Sequence, residues 1–526
     1  MSRTPGISPH LRAARTTASA RPACAAVYLR PLPPPGRDMF EKYAIVIAFV
    51  ALLGYLSYRS YRRVKTYKDY NLAGRNTGFS TLVATLGAAE FNTATLIGGA
   101  SVAYLYGSVG IWYTSLIFVF VFGIYALTVA RPYRRLGIST IAEFFERRFP
   151  GRFSELTRGL ASVVTLTFTW IAPATYLAGL SVVSSVLLGV DPLTTVIAIT
   201  AVCLVLALAG GFLTALSFDV VAYVMILVFL PLLFVVGYLA AGGFGSLGDV
   251  FDERFLSLEP IWDLQDYGFA AILTWCFQNI MLYIAAPWYG QRIFSARNER
   301  IAYRAMLTNT VLITVLYALV ALTTMFSKVV MPNLDKPEEA LPRLVLEYTP
   351  AVVQGLLLVT LLLVGISTMV AIWNSAVSIV VNDIVKRYVF RDRTDRFYVA
   401  TSRVVFVVLG MSTLAFALTF VGNILIALTY VSVFTALLAF PILAGLYWKR
   451  FTTTAALGSL VIGVCYVTVA LLAGFPYYLI SPVGVALSAV VGIVLTLAAP
   501  RTTTDPKVAE FFATAHGTKE YEHAPQ

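Results

Sequence analysis

Gly87-Ala88-Ala89-Glu90-Phe91-Asn92-Thr93-Ala94-Thr95-Leu96-Ile97-Gly98-Gly99 runs through the middle of an apolar stretch covering 79–105. It places small residues, a carboxylate, an amide and two hydroxyls inside a segment long enough to cross a bilayer, which takes roughly 20 apolar residues. A helix can unwind at membrane depth only where it is buried in protein and lines a cavity. Carbonyls freed by such a break suit a bare, hard cation. Close helix packing through small residues is the competing reading.

Reading outward from this segment, apolar windows recur along the whole chain. They predict thirteen spans, near 42–58, 79–105, 109–130, 159–188, 193–213, 217–241, 267–290, 306–328, 352–381, 398–420, 422–446, 455–474 and 477–498. The composition agrees: 58% of the 526 residues are hydrophobic and 13% charged, with a mean hydropathy of +0.78. An ordinary soluble domain carries about 25% charged residues. The basic residues alternate from gap to gap. Arg59, Arg62, Arg63, Lys65, Lys68 and Arg75 follow the first span, and the arginines from Arg131 to Arg158 the third. Arg292, Arg297, Arg300 and Arg304 follow the seventh, Lys386 to Arg396 the ninth, and Lys449 and Arg450 the eleventh. The gaps between them are acidic or uncharged, as at Asp249, Asp252, Glu253, Glu259, Asp263 and Asp266. Basic loops stay in the cytoplasm, so the N-terminus is expected outside and the C-terminus inside a plasma membrane.

The chain divides into an N-terminal extension (1–41), expected to be disordered or dispensable, a membrane-spanning domain (42–498) and a short polar cytoplasmic tail (499–526). The net charge of +12 follows the loops, and no soluble stretch is long enough for a nucleic-acid module. The cysteines (Cys24, Cys203, Cys276, Cys465) are far apart, and three lie in apolar runs, which points to neither a disulfide framework nor a zinc site. His10, His516 and His523 all lie in the terminal tails, which excludes a membrane histidine relay or haem site.

Of the 27 acidic residues, only Glu90 and Asp219 fall at hydrocarbon depth. A charge there is costly and marks an ion or solute pathway unless it is protonated and hydrogen-bonded. A second polar cluster lies in the ninth span, where Gly365-Ile366-Ser367-Thr368 is followed by Trp373-Asn374-Ser375-Ala376. Adjacent hydroxyls beside an oxygen-lined break would complete a sodium site without any full charge. Hydroxyls bonded back to their own helix are the alternative.

Together these segments resemble the sodium:solute symporter family over about 42–450. Tyr67-Lys68-Asp69-Tyr70-Asn71-Leu72-Ala73-Gly74-Arg75 looks like the D-Y-x-L-A-G-R that precedes the family's first core helix. Leu96-Ile97-Gly98-Gly99-Ala100-Ser101-Val102-Ala103-Tyr104-Leu105-Tyr106-Gly107 is similar to its F-I-G-x-x-G-x-A-Y-x-Y-G. The segment from Gly137 to Phe149 resembles T-x-x-E-x-x-x-x-R-F. Gly210-Gly211 with Asp219, Gln291-Arg292, Ser367-Thr368 with Asn374-Ser375, and Asp383-Ile384 follow in the family's order.

The resemblance implies an all-α polytopic membrane protein with a LeuT-type 5+5 inverted repeat (core repeats about 79–241 and 267–446), one extra N-terminal helix and extra C-terminal helices. Carried over position by position, sodium falls on the carbonyls of Ala88, Phe91 and Val364 and the hydroxyls of Ser367 and Thr368, with Asp219 close to the ion pathway. Asn92, Thr95, Asn279 and Tyr283 fall at the solute. Two departures stand out. No lysine occurs between Gly290 and Ser327, where the sugar branch carries one, and Glu90 is not typical of the family.

The expected function is sodium-coupled symport of a small organic solute, such as an amino acid, an organic cation or another small metabolite. Na+ is the coupling ion, no other cofactor is implied, and no obligatory protein partner is evident beside the lipid bilayer. An ionised Glu90 would contact either an amine or an extra sodium. A proton-coupled carrier of the same fold, using Glu90 or Asp219, and a transporter-like solute sensor are the alternatives. A membrane enzyme lacks a paired nucleophile and base.

Overall fold

The computed structural model describes residues 35–208, 210–264, 267–417, 432–500 and 505–517. Within them the chain is helical, and the one β-bridge joins Thr77 to Ala296. Besides two short helices, Tyr67–Leu72 and Ala340–Tyr348, the helices are α1 (Pro35–Arg63), α2 (Phe79–Glu90), α3 (Thr93–Tyr106), α4 (Ser108–Leu136), α5 (Ile141–Arg148), α6 (Ser154–Leu188), α7 (Pro192–Ala207) and α8 (Phe212–Ala241). After a loop come α9 (Phe269–Ala285), α10 (Pro287–Ser295), α11 (Glu299–Val330), α12 (Ala351–Val389), α13 (Asp395–Ala417), α14 (Ser432–Tyr447), α15 (Thr453–Leu472), α16 (Tyr477–Ala498) and α17 (Pro506–His516).

Among the described residues nine helices are long and apolar enough to cross a membrane, or ten with α9 and α10 taken as one bent span. Three more apolar helices, Thr95–Tyr106, Leu193–Leu206 and Ser432–Tyr447, are shorter. Part of the expected span at 422–446 and most of the N-terminal extension lie outside the described residues.

Helix α12 is the central post. Its most apolar window is 89% buried, against 17% in α1, which faces outward. Gly365 makes the approach of α6 possible, because a Cβ there would sit 2.6 Å from the Leu180 side chain. Two helices are broken, and each opens one of the two expected repeats. α2 stops at Glu90 and α3 resumes at Thr93, while α9 and α10 meet at a 48° bend. The near ends of these pairs are tied together. The Thr77 N–H donates to the Ser295 carbonyl at 3.0 Å, and the Arg297 N–H to the Thr77 carbonyl at 3.0 Å.

The end of α12 is held to α5 and α6 by charge. Arg158 on α6 pairs with Asp383 at 2.7 Å and with Glu146, and Arg387 pairs with Glu146 at 2.9 Å. The tail behaves differently from the plain polar segment expected at 499–526. Val508, Phe511, Phe512 and Ala515 repeat at helical spacing, and α17 buries that face against the end of α4 and α5. Below it lies Arg148, buried, donating to the carbonyls of Gly445 (2.7 Å), Trp448 (3.1 Å), Lys449 (3.3 Å) and Phe451 (3.0 Å). Its guanidinium also covers the rings of Phe149 at 4.9 Å and Phe512 at 5.1 Å. Burial pushes its pKa down to about 10, so it remains charged at neutrality.

Arg148→Leu strands those carbonyls in a buried site. The variant is expected to lose about 3 kcal/mol or more of stability, since bonds from a charged donor are worth roughly 1.5–3 kcal/mol each but do not add fully. Thermal unfolding in detergent checks this against Arg152→Leu at an exposed position, which is expected to leave the melting temperature unchanged.

Candidate ion and solute site

The break between α2 and α3 is made by hydrogen bonds that go elsewhere. In a continuous helix the Asn92 N–H would donate to the Ala88 carbonyl. Here it donates to the Glu90 carbonyl at 2.8 Å. The Thr95 N–H, whose helical acceptor would be the Phe91 carbonyl, donates instead to Asn92 Oδ1 at 2.8 Å. Asn92 is thus the N-cap of α3 in extended conformation (φ −102°, ψ 155°), the geometry that favours Asn. Ala88 and Phe91, two of the residues expected to offer sodium a carbonyl, are the residues whose helical donors are diverted. Gly87 allows the turn to sit against α8, because a Cβ there would collide with the Tyr223 ring.

Helix α12 brings its hydroxyls to this break. Thr368 Oγ1 lies 3.3 Å from the Ala88 carbonyl and 3.0 Å from the Val364 carbonyl, and Ser367 Oγ lies 3.2 Å from the Val364 carbonyl. All four residues are buried. The back-bonding expected as the competing reading is present too, but Thr368 reaches across to Ala88 as well.

Asp219 lies beside this cluster, next to the Ser367 hydroxyl. Its Oδ2 accepts from the Thr85 hydroxyl and from Arg292 Nη2 at 2.8 Å, while Oδ1 is buried without a hydrogen-bond partner. Arg292 also donates through Nε to the Thr85 carbonyl at 3.0 Å and through Nη1 to the Trp288 carbonyl at 2.9 Å. The sequence reading put Arg292 in a basic loop after the seventh span. The structure corrects this: the residue is on α10, fully buried, as the counter-ion of Asp219.

Glu90 closes α2 and is buried. Its Oε2 accepts from the Tyr283 hydroxyl and lies 3.1 Å from the Tyr289 hydroxyl, whose one hydrogen is shared with the Leu86 carbonyl at 3.0 Å. Its carbonyl accepts from the Asn92 N–H, from Asn92 Nδ2 at 3.1 Å and from the Tyr317 hydroxyl at 3.1 Å. Of the expected solute residues, Glu90, Asn92 and Tyr283 therefore meet, and the partly exposed Thr95 hydroxyl neighbours Tyr317. Asn279 does not join them; its amide donates back to the Trp275 carbonyl at 2.8 Å. Both ends of the Asn92 amide are spent on the break.

Tyr289, Tyr317, Thr85 and the second break were not read from the sequence. Pro287 was the available signal: it lacks an N–H and ends a helix in front of it. The break it makes separates Tyr283 on α9 from Tyr289 on α10, so that both hydroxyls converge on one carboxylate.

The comparisons agree with this architecture. A family model described as "SSF: Sodium:solute symporter family" matches residues 70–463. A sodium/glucose cotransporter from Vibrio parahaemolyticus is 23% identical over 429 residues, covering 74% of this chain and 77% of that protein. The substrate-bound outward-open structure of a Na+-coupled sialic acid symporter superposes with a TM-score of 0.76 at 17% identity, covering 88% of this chain and 99% of that one. A nucleobase-cation-symport-1 family transporter in a closed conformation has a TM-score of 0.54 at 14% identity, covering 85% and 98%. The fold is that of the LeuT-type transporters, and the match over most of its length makes this chain a member of the sodium:solute symporter family, a sodium-coupled carrier of small solutes and not an enzyme.

Proposed function

We propose that the chain carries Na+ and a small organic solute together into the cell across the plasma membrane, with its N-terminus outside and its C-terminus inside. The ion is held by the carbonyls of Ala88, Phe91 and Val364 and the hydroxyls of Ser367 and Thr368. The observation that carries this reading is the meeting of the Thr368 hydroxyl with the Ala88 and Val364 carbonyls, at 3.3 and 3.0 Å, beside a break that diverts the helical donors of Ala88 and Phe91. A hydroxyl rotates at little cost, so Thr368 can turn its hydrogen away and offer a lone pair to an arriving ion. Five neutral oxygens give a hard monovalent cation a replacement for its water shell without a buried counter-charge.

Sodium in this position bridges α2–α3 and α12 and favours the state open to the outside. Solute binding then permits the two repeats to rock and release both inward. The membrane potential contributes about 2.3 kcal/mol per charge per 100 mV. Asp219, adjacent to Ser367 with one oxygen unpartnered, lies where a departing ion would pass. The solute faces Glu90, Asn92, Thr95 and Tyr283, with Asn279 one helical turn away. The glucose and sialic acid named for the similar proteins are not carried over. A carboxylate at the solute position disfavours an acidic solute, and the sugar branch's lysine in the eighth span is absent here.

Ser367→Ala combined with Thr368→Ala is expected to raise the sodium concentration for half-maximal uptake severalfold while the protein still inserts. Sodium-dependent uptake in cells or proteoliposomes measures it, and an unchanged sodium requirement removes the site.

Asp219 and Arg292 are expected to behave as a unit. Removing one partner of a buried pair costs about 3–5 kcal/mol, while replacing both is far milder. Asp219→Asn and Arg292→Met should each lower the melting temperature in sodium-free detergent, and the double variant should recover much of the loss. Simple additivity of the two losses would show the groups to be uncoupled.

A further inference from the structure

Two carboxylates lie at membrane depth, and the fold treats them differently. Asp219 has Arg292 within 2.8 Å. Glu90 forms no ion pair among the described residues, and its carboxylate is held by phenol O–H donors alone. A buried carboxylate without a cation is strongly disfavoured, so Glu90 either holds a proton or is met by a cation that the loaded carrier brings. The surroundings decide which kind. A hard ion seeks several oxygens, but the carbonyl of Glu90 already accepts three hydrogen bonds, and its Oε2 lies against the hydroxyls of Tyr283 and Tyr289, the latter also 3.0 Å from the Leu86 carbonyl. What remains is aromatic. The rings of Tyr283 and Tyr289 stand 4.8 Å apart at 74°, Phe122 meets Tyr283 edge-on at 5.3 Å and stacks on Tyr289 at 5.6 Å, and Tyr317, stacked by Phe91 at 4.5 Å and Phe118 at 5.4 Å, backs the wall behind them. Ring faces attract a diffuse organic cation, and a desolvated ammonium gains most from them.

We propose that the solute is an organic cation, whose ammonium group sits on the Glu90 carboxylate within the wall formed by Tyr283, Tyr289 and Tyr317. This rests on the reading of the chain as a sodium symporter and narrows its solute class. Glu90 supplies the charge-assisted contact, the phenols orient the carboxylate, and the rings exclude water around the alkyl substituents. Sodium stays at the neighbouring neutral oxygens.

The test uses the purified full chain in detergent and reads thermal stability, which rises with any ligand that binds only the folded state. Sodium is first compared with potassium, with no solute present. Propylammonium and tetramethylammonium are then titrated in sodium beside 1-propanol and propionate. Both cations are expected to raise the melting temperature, while the alcohol and the acid leave it in place. Glu90→Gln is expected to weaken both cations tenfold or more and to keep the sodium response, and Glu90→Asp to restore part of the affinity. Equal shifts from 1-propanol and propylammonium, or no shift from either cation, overturn the proposal, and both are read on the unaltered protein even if the Gln variant does not fold. Loss of the sodium response in Glu90→Gln also overturns it, by making Glu90 an ion ligand. An unaltered protein that does not distinguish sodium from potassium counts instead against the ion site, and leaves the cation-against-alcohol comparison standing.

Discussion

In a medium that offers no hydrogen bonds, a main-chain N–H must find an acceptor inside the protein. At the break between α2 and α3, two N–H groups find theirs off the helical path, on the Glu90 carbonyl and on the side chain of Asn92. Much of the site follows from that diversion. Ala88 and Phe91 lose their helical donors, α12 can present Thr368 to one of the freed carbonyls, and Glu90 is left at a helix end where phenols can reach it. Asn92 provides the acceptor that stabilises the resumed helix. The interruption is therefore a satisfied local structure before any ion arrives.

The two buried acids show how neighbours in one core can be given opposite electrostatic settings. Around Asp219 the chain supplies a guanidinium anchored also to the Thr85 and Trp288 carbonyls, which fixes α10 against α2 and α8. Around Glu90 it supplies only dipoles. The Asp219 pair joins α8 to α10 and leaves one carboxylate oxygen over, whereas no cation among the described residues meets Glu90.

The long helices were legible because apolar windows of membrane length leave few alternatives, and the break was legible because Glu90, Asn92 and Thr95 are costly in the middle of such a window. Ser367 and Thr368 were recognisable as adjacent hydroxyls, and the fold does set them against Ala88 and Val364. Arg292 was misread because a basic residue near a span end looks the same in sequence whether it faces the cytoplasm or turns inward to meet an acid 73 positions earlier. Tyr289 and Tyr317 were silent, since tyrosine is common in apolar spans and only the three-dimensional packing brings their hydroxyls to Glu90. The face of α17 was readable in principle from the spacing of Val508, Phe511, Phe512 and Ala515, but its short, polar surroundings masked it.

The fastening around Arg148 constrains how such a carrier can move. Arg148 closes α5, inside the first expected repeat, while the carbonyls it holds lie at the end of α14 and in the turn after it, where the second expected repeat ends. α17 lies across the same junction: Arg135 Nη1 is 3.4 Å from the Ala515 carbonyl, and His516 Nε2 is 2.9 Å from the Leu446 carbonyl. Sliding Arg148 off its four acceptors breaks bonds from a charged donor, so shear between the repeats is costly at this corner. The relative displacement of the two halves must grow with distance from it, as the opening of a pair of shears grows with distance from the rivet.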